Sequence, residues 1–432
     1  MRGGKGTVWS EIEGRAGGAV FVFGTNLRID HCVITACSSL VGGGIACIGT
    51  SQCPAGLEAR QCTIDSCMAS NWGGGLYGIH SSLQVTESSL RRNACGFEGA
   101  GCSAIDCMIE YSQSKFLRNS GQLGGIVVNG CTGSIESCEF SHNISSLDGG
   151  AADLTCSNSN VHVISNIFAS SQASEGLISF CCFPDAEVRF IGNIVEHTVG
   201  NGEAAILIAG IEGDFSYNII NALSGFRHTI YAFQQTSVRF HHNFFSNNVN
   251  DVAILSQGPD FEGSLDSNWI AGNSGPCFDD PVMPAESMDV RLNWWGHQTG
   301  PYHVILNPNG QGDTLGWSMA MFEPWLQSPP DTSLSSNSSE VPAPVQATWR
   351  ILSLFPNPFN NVLKVELAGF AGSDFSIAMF DLLGRQIMVF RPGRVTGGAI
   401  QLTLPQKLSS GIYFFMAYDG TFSETRKVVL LK

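Results

Sequence analysis

Charge is scarce in this chain. Only 14% of its 432 residues are Asp, Glu, Lys or Arg, against about 25% in ordinary soluble domains. Basic residues are the scarcer kind, 22 against 37 acidic ones, for a net charge of −15. That balance excludes nucleic acid as a partner, because phosphate binding relies on Lys and Arg. It also disfavours polyanionic sugars unless a divalent cation bridges the two. Ca²⁺ is the natural bridge, but the D-x-[DN]-x-[DN]-G loop that would hold it is absent, so no cofactor is expected. No run of eighteen apolar residues occurs, so no membrane span is expected. The opening residues, MRGGKGTVWSEIEG, lack the apolar segment of a signal peptide. Zinc-type CxxC pairs and a GxSxG nucleophile elbow are also missing. Cysteine stops at Cys277, and the total of fifteen is odd, so the cysteines cannot all pair within one chain.

Glycine is plentiful, at 50 residues, and with it comes an internal repeat. Cys32, Cys62, Ser88, Ser114, Cys138, Asn166, Asn193, Asn218, Asn243, Asn268 and Asn293 fall into one column. Their spacings begin at 30, 26, 26, 24, 28 and 27 and settle at 25 for the last four steps. Two residues after each comes a large apolar residue, such as Ile34, Phe116 or Phe245. Five after it comes a second polar column: Cys37, Cys67, Asn93, Asn119, Asn143, Ser171, Thr198, Asn248 and Asn273, broken once by Leu223. Glycines cluster further on, at 42–44, 73–75, 124–125 and 149–150.

A repeat of about 25 residues with period-2 strands predicts a parallel β-coil, in which turns that are unstable alone stack into one core. Identical positions then lie ~4.8 Å apart. Asn amides at that spacing are expected to hydrogen-bond along the column, as in Asn ladders, and to occupy left-handed corners. The expected fold is all-β: a right-handed parallel β-helix of about eleven rungs over residues 1–326, then a small immunoglobulin-like β-sandwich. An aromatic stretch at 293–326, including Trp294, Trp295, Tyr302, Trp317, Phe322 and Trp325, is expected to cap the open end of the core. The other end offers no such cap: GGAVFVF at 17–23 already reads as part of a rung. The chain is therefore expected to start inside a longer reading frame, with a signal peptide upstream.

Residues 327–348, QSPPDTSLSSNSSEVPAPVQAT, read as a flexible Pro/Ser linker. Beyond it the repeat ends and the charge reverses. Residues 1–348 carry 13 basic and 32 acidic side chains, a net of −19; residues 349–432 carry 9 and 5, a net of +4. Strands are predicted at 362–367, 375–380, 386–390, 399–404, 412–418 and 426–431. The sequences LFPNPFNNVLKVEL (354–367), MFDLLGRQI (379–387), LSSGIYFF (408–415) and a terminal RKVVLLK carry a specific resemblance. Together they resemble the type A C-terminal sorting domain of the type IX secretion system, with Pro356, Asn357, Pro358, Asp381, Gly384, Gly411, Tyr413 and Lys427 at its motif positions. The resemblance implies the type IX machinery as partner and export across the outer membrane of a Bacteroidetes-like bacterium. It further implies removal of the domain and a secreted or outer-surface location.

Residues 17–326 resemble right-handed parallel β-helix proteins, which include pectate lyases, polygalacturonases and non-catalytic surface proteins. The recurrent FxxN with glycine pairs resembles polymorphic outer-membrane repeats. SVRFHHNFF (237–245) resembles a pectate lyase strand, but SNNVNDVA follows it, without the Arg and Pro of the lyase pattern. His241, His242 and Asn243 are therefore expected to serve strand and ladder. A hydrolase needs two carboxylates at a set separation. The pair Asp279 and Asp280 precedes the last rung without further acid or His pattern, and Asp153, Asp185 and Asp214 keep no common register. No catalytic residue is assigned. Trp72, Tyr77, Tyr231 and Phe233 are candidates for stacking on sugar rings. The reading is thus a monomeric surface protein that binds a polysaccharide or cell-surface glycan or mediates adhesion, with a polysaccharide lyase or hydrolase as the alternative.

Overall fold

The computed structural model describes residues 7–9, 14–50, 52–146, 151–173, 176–234, 236–257, 263–279, 289–316, 320–330, 332, 350–356, 359–360, 362–372, 376–380, 386–390, 395–404, 408–418 and 423–431. Every regular element among them is a strand. The chain divides into two compact units, Met1–Thr332 and Ser333–Lys432.

The first unit is a parallel β-solenoid. Ten strands stack in sequence order from Val33–Thr35 to Trp269–Ala271, one per repeat. A nineteen-stranded sheet supplies two further strands per turn, for example Ile45–Ile48 and Ala55–Arg60. In two middle turns these run on into single long strands, Gly176–Ile191 and Ala204–Ser216, and separate again afterwards. The ten stacked strands enclose nine turns, fewer than the eleven columns of sequence suggest. The difference lies at the end: the Asn293 repeat adds isolated bridges, Ser264 to Asp289 and Trp269 to Trp294, in place of a strand. Trp295, Leu315, Ala320 and Phe322 instead fold into the core cluster there. At the other end a short antiparallel hairpin, Thr7–Trp9 with Gly14–Ala16, precedes the first turn, an element the sequence did not announce.

The strands form because alternate residues face one interior. Ile34, Ile64, Leu90, Phe116, Phe140, Phe168, Val195, Ile220, Phe245 and Ile270 lie in direct register and are at most 2% exposed. Phe116 stacks on Phe140 at 5.1 Å, and Phe140 on Phe168 at 4.7 Å, close to the rung spacing.

The corners are held by the polar column. The Asn193 backbone N–H donates to Asn218 Oδ1 (2.8 Å), as does its Nδ2 (3.1 Å). The same pair of bonds recurs from Asn166 to Asn193, Asn218 to Asn243, Asn243 to Asn268 and Asn268 to Asn293. Each Nδ2 also donates to a strand carbonyl, as Asn218 does to Phe190 at 2.7 Å. In the earlier rungs Ser88 and Ser114 hydroxyls accept the corner N–H of the rung before, both at 3.0 Å. The left-handed backbone does not fall on the asparagines, as expected from sequence, but one residue earlier. That position runs from His31 (φ 51°) through Tyr217 (57°) and His242 (55°) to Leu292 (58°), and only Gly192 among them is glycine. A non-glycine residue there costs ~1–2 kcal/mol, a cost the satisfied corner must offset.

The second unit has two antiparallel sheets. Arg350–Phe355, Val362–Gly372 and Val395–Thr403 form one; Gln386–Phe390, Ser376–Phe380, Gly411–Tyr418 and Ser423–Leu430 form the other. Their shared core includes Phe359, Leu363, Val365, Met379, Phe415 and Val428. The first strand, Arg350–Phe355, was not foreseen; the other six overlap their predicted segments.

Asn218→Ala strips the acceptor from the buried Asn193 N–H and amide, so a loss of about 3 kcal/mol is expected. Asn218→Ser keeps a hydroxyl acceptor, as Ser88 and Ser114 do, and is expected to lose about half as much. Urea unfolding of the full chain followed by tryptophan fluorescence measures both; equal losses would refute the acceptor role.

Candidate functional site

Among the described residues the interior is lined by apolar side chains and ladders, and the outward columns form the surface. Two of these lie on the nineteen-stranded sheet and differ sharply in chemistry. On the strands typified by Ile45–Ile48, one outward column runs Phe21, Ala46, Tyr77, Ser103, Val127, Thr155, Ser179, Leu207 and Tyr231. Its neighbour runs Phe23, Ile48, Ile79, Ile105, Asn129, Ser157, Cys181, Ala209 and Phe233. Neither holds a charge over this span. The next face is dense in charge: Arg28, Glu58, Gln84, Glu110, Ser134, His162, Arg189, Asp214 and Arg239 follow one another in register.

Aromatic side chains gather at both ends of the uncharged face. At the first end Phe21 stacks on Phe23 (6.4 Å, 11°), and Trp72 lies against Tyr77 and Phe97, both at 6.4 Å. Phe23 is 42% and Phe97 46% exposed, whereas Tyr77 is 4% exposed beneath Trp72 in a secondary apolar cluster. Tyr77 is thus floor and cannot itself meet a sugar, which corrects the reading from sequence; Trp72 and Phe97 stand in its place. At the other end Tyr231 stacks on Phe233 (4.8 Å, 17°) and on His228 (5.2 Å). His228 is fixed by Glu203, 3.2 Å from its Nε2. Sequence reasoning missed Phe97, His228 and Glu203, because only register brings them to these aromatics.

On the charged face His241 and His242 do not act alone. His241 Nε2 lies 3.0 Å from Asp214 Oδ1, and the two Nδ1 atoms of His241 and His242 are 2.8 Å apart. Tyr217 stacks on His242 at 5.0 Å, and Arg239 forks onto Asp266 at 3.1 and 3.2 Å. Burial acts to raise the Asp214 pKa, but the His241 contact, Ser216 and Arg239 outweigh it and hold the carboxyl below its ordinary value. Asn243, next in sequence, turns inward and is spent on the ladder.

Two acids that looked like catalytic candidates or went unnoticed terminate ladders. Asn143 Nδ2 (2.8 Å) and Ser171 Oγ (2.7 Å) both donate to Asp153 Oδ1. Asn273 donates its N–H (2.9 Å) and Nδ2 (2.8 Å) to Asp313 Oδ2, with Gly272 N–H on the other oxygen. An amide column runs in one direction, so its last amide needs an acceptor outside the column: backbone carbonyls for Asn293, and Asp oxygens for Asn143 and Asn273. Burial pushes the Asp153 pKa up to about 7 against the hydrogen bonds from Ser171 and Asn143, and burial likewise raises Asp313. Asp185 and Asp279 lie on strands whose side chains there are not described, and Asp280 lies outside the described residues. Among the described residues no three His, Cys, Asp or Glu side chains are grouped to hold a metal, and no helix is long and apolar enough to cross a membrane.

In the second unit, Pro356 follows the first strand as an exposed bend, Gly411 opens the strand Gly411–Tyr418, and Lys427 pairs with Phe414 on the neighbouring strand. Tyr413 is buried and its hydroxyl donates to Ser409 O at 2.9 Å, bracing the turn before its own strand. Asn357, Pro358, Asp381 and Gly384 lie outside the described residues. Residues 353–431 match the family model of the secretion system C-terminal sorting domain. No curated protein and no solved structure matches the chain. The tail implies secretion by the type IX system, interaction with its machinery, and a secreted or cell-surface location.

Two expectations follow. A chain ending before residue 353 remains inside the cell envelope, whereas residues 349–432 fused to a reporter direct its export; immunoblots of cell fractions and medium read both. The raised pKa of Asp153 means that the folded state holds a proton the unfolded state releases. Its favourable contribution is present below the unfolded value near 3.8 and is lost as pH rises through about 7. Asp153→Asn is therefore expected to gain stability relative to wild type from pH 5 to 8, measured by thermal melts across that range.

Proposed function

We propose that the exported solenoid binds an extended, neutral polysaccharide along its uncharged outward face, as a monomer and without catalysis. The observation that carries this reading is the pairing of that face with aromatic side chains at its two ends, exposed at Phe23 and Phe97 and half-buried at Tyr231 and Phe233. Sugar rings present apolar C–H faces that pack on aromatic rings, while their hydroxyls meet the exposed Asn129 and the half-buried Ser157 between them. Tyr77 and Tyr231 are six rungs apart in one register column, or ~29 Å. The span suits a polymer better than a single sugar. The acidic body supports a neutral rather than an anionic ligand.

The alternative, a polysaccharide lyase or hydrolase, is favoured by one cluster only: Asp214, His241, His242, Tyr217 and Arg239 on the charged face. The two readings use different faces and so separate cleanly. Affinity electrophoresis in gels cast with neutral or uronic-acid polysaccharides is expected to show retardation by a neutral polymer. Tyr231→Ala with Phe233→Ala is expected to weaken it about tenfold, or ~1.4 kcal/mol, with Trp72→Ala acting in the same direction. His241→Ala is expected to leave retardation unchanged. Reducing-end or unsaturated products that appear with wild type and vanish with His241→Ala would replace binding by catalysis.

A further inference from the structure

Six cysteines stack in pairs on consecutive rungs of the corner columns: Cys32 with Cys62, Cys37 with Cys67, and Cys107 with Cys131. Each pair lies on hydrogen-bonded neighbouring turns, since Thr63 N–H donates to Cys32 O (2.8 Å), Met68 to Cys37 O (2.9 Å) and Thr132 to Cys107 O (3.0 Å). Stacked Cα atoms in such sheets are ~4.8 Å apart, inside the ~4.4–6.8 Å that a disulfide spans. Side chains already meet across one of these steps: Cys107 N–H donates to Cys131 Sγ at 3.4 Å. Cysteines elsewhere in the solenoid stack on other residue types. Cys47 lies beside Gly78, Cys102 between Leu76 and Ile126, and Cys156 between Val128 and Phe180.

We infer that these three pairs close as disulfides that staple successive rungs of the N-terminal half once the chain leaves the cytoplasm. The export implied by the sorting tail takes the thiols into an oxidising compartment. In each closure two cysteine S–H bonds and the S–S bond of a donor disulfide break. One cysteine S–S bond forms, and two donor thiols carry away the two protons and two electrons. Cys107 and Cys131 are buried, so their bond forms while the rungs assemble, whereas Cys32 stays partly exposed. The staples fall where the first polar column carries Cys and Ser, before its amide-to-amide bonds begin at Asn166.

The test is peptide mapping of the full chain recovered from culture, denatured and alkylated with iodoacetamide without prior reduction. Three cross-linked peptide pairs joining these cysteines are expected. Recovery of the six as singly alkylated residues, or joined to other partners, overturns the inference. Repeating the mapping on protein refolded with oxidised and reduced glutathione separates failure to pair from failure to be exported. A variant with all six changed to Ser keeps the small polar side chain already present at Ser81, Ser88 and Ser114. Its melting temperature is expected not to respond to dithiothreitol, while that of wild type falls by several degrees. Equal insensitivity of both also overturns the inference.

Discussion

The structure depends on one hydrogen bond: the corner backbone N–H of each rung, accepted by a side chain of the next. A turn of about 25 residues closes only with sharp corners, and a sharp corner points a buried N–H away from its own strand. Left unmet, that donor costs about 1–3 kcal/mol at every turn. The acceptor from the following rung removes the cost and fixes the register of the two rungs. Register in turn keeps Phe116, Phe140 and Phe168 stacked inside. It also lets a left-handed residue of almost any type precede the corner, as His31, Tyr217 and Leu292 do.

Such a column has a direction. Each Asn accepts from the rung before and passes its own amide to the rung after, so the column must end on an acceptor. Asp153 and Asp313 end two stretches of the second column. This explains why acidic residues lie inside the solenoid, where burial pushes the Asp153 pKa up to about 7. Leu223 interrupts the same column without breaking it, because its own N–H still finds Asn248 Oδ1 at 3.2 Å. Acceptance can skip a residue type for one rung; donation cannot skip its final acceptor.

The repeat and the tail were legible in the sequence because stacking forces like residues to recur at fixed spacing. The column from Asn166 to Asn293 was readable in that way, as were the strands of residues 362–430. What was not legible depends on relations between columns. Position alone does not reveal that Tyr77 lies under Trp72, or that His241 reaches back one rung to Asp214. The end of the stack was legible only roughly. The Asn293 repeat keeps the pattern, but its strand is replaced by cap residues such as Phe322 that fill the same volume. The left-handed position escaped because it tolerates His, Gln, Glu, Tyr and Leu alike, so no residue type marks it.

Because the ladder consumes the inward side chains, sequence motifs that span a corner split in two. In HHN the Asn turns inward to the ladder, and only the histidines remain for other work. Function must then be sought by face. In the proposed reading the uncharged face offers ring surfaces at both ends, ~29 Å apart, a spacing suited to holding an extended chain at more than one point. The charged face offers one compact knot around Asp214, with both His241 nitrogens already engaged. A base whose nitrogens are both held by neighbours is poorly placed to take a proton from substrate. That is the physical reason for preferring the long aromatic-ended face as the working surface.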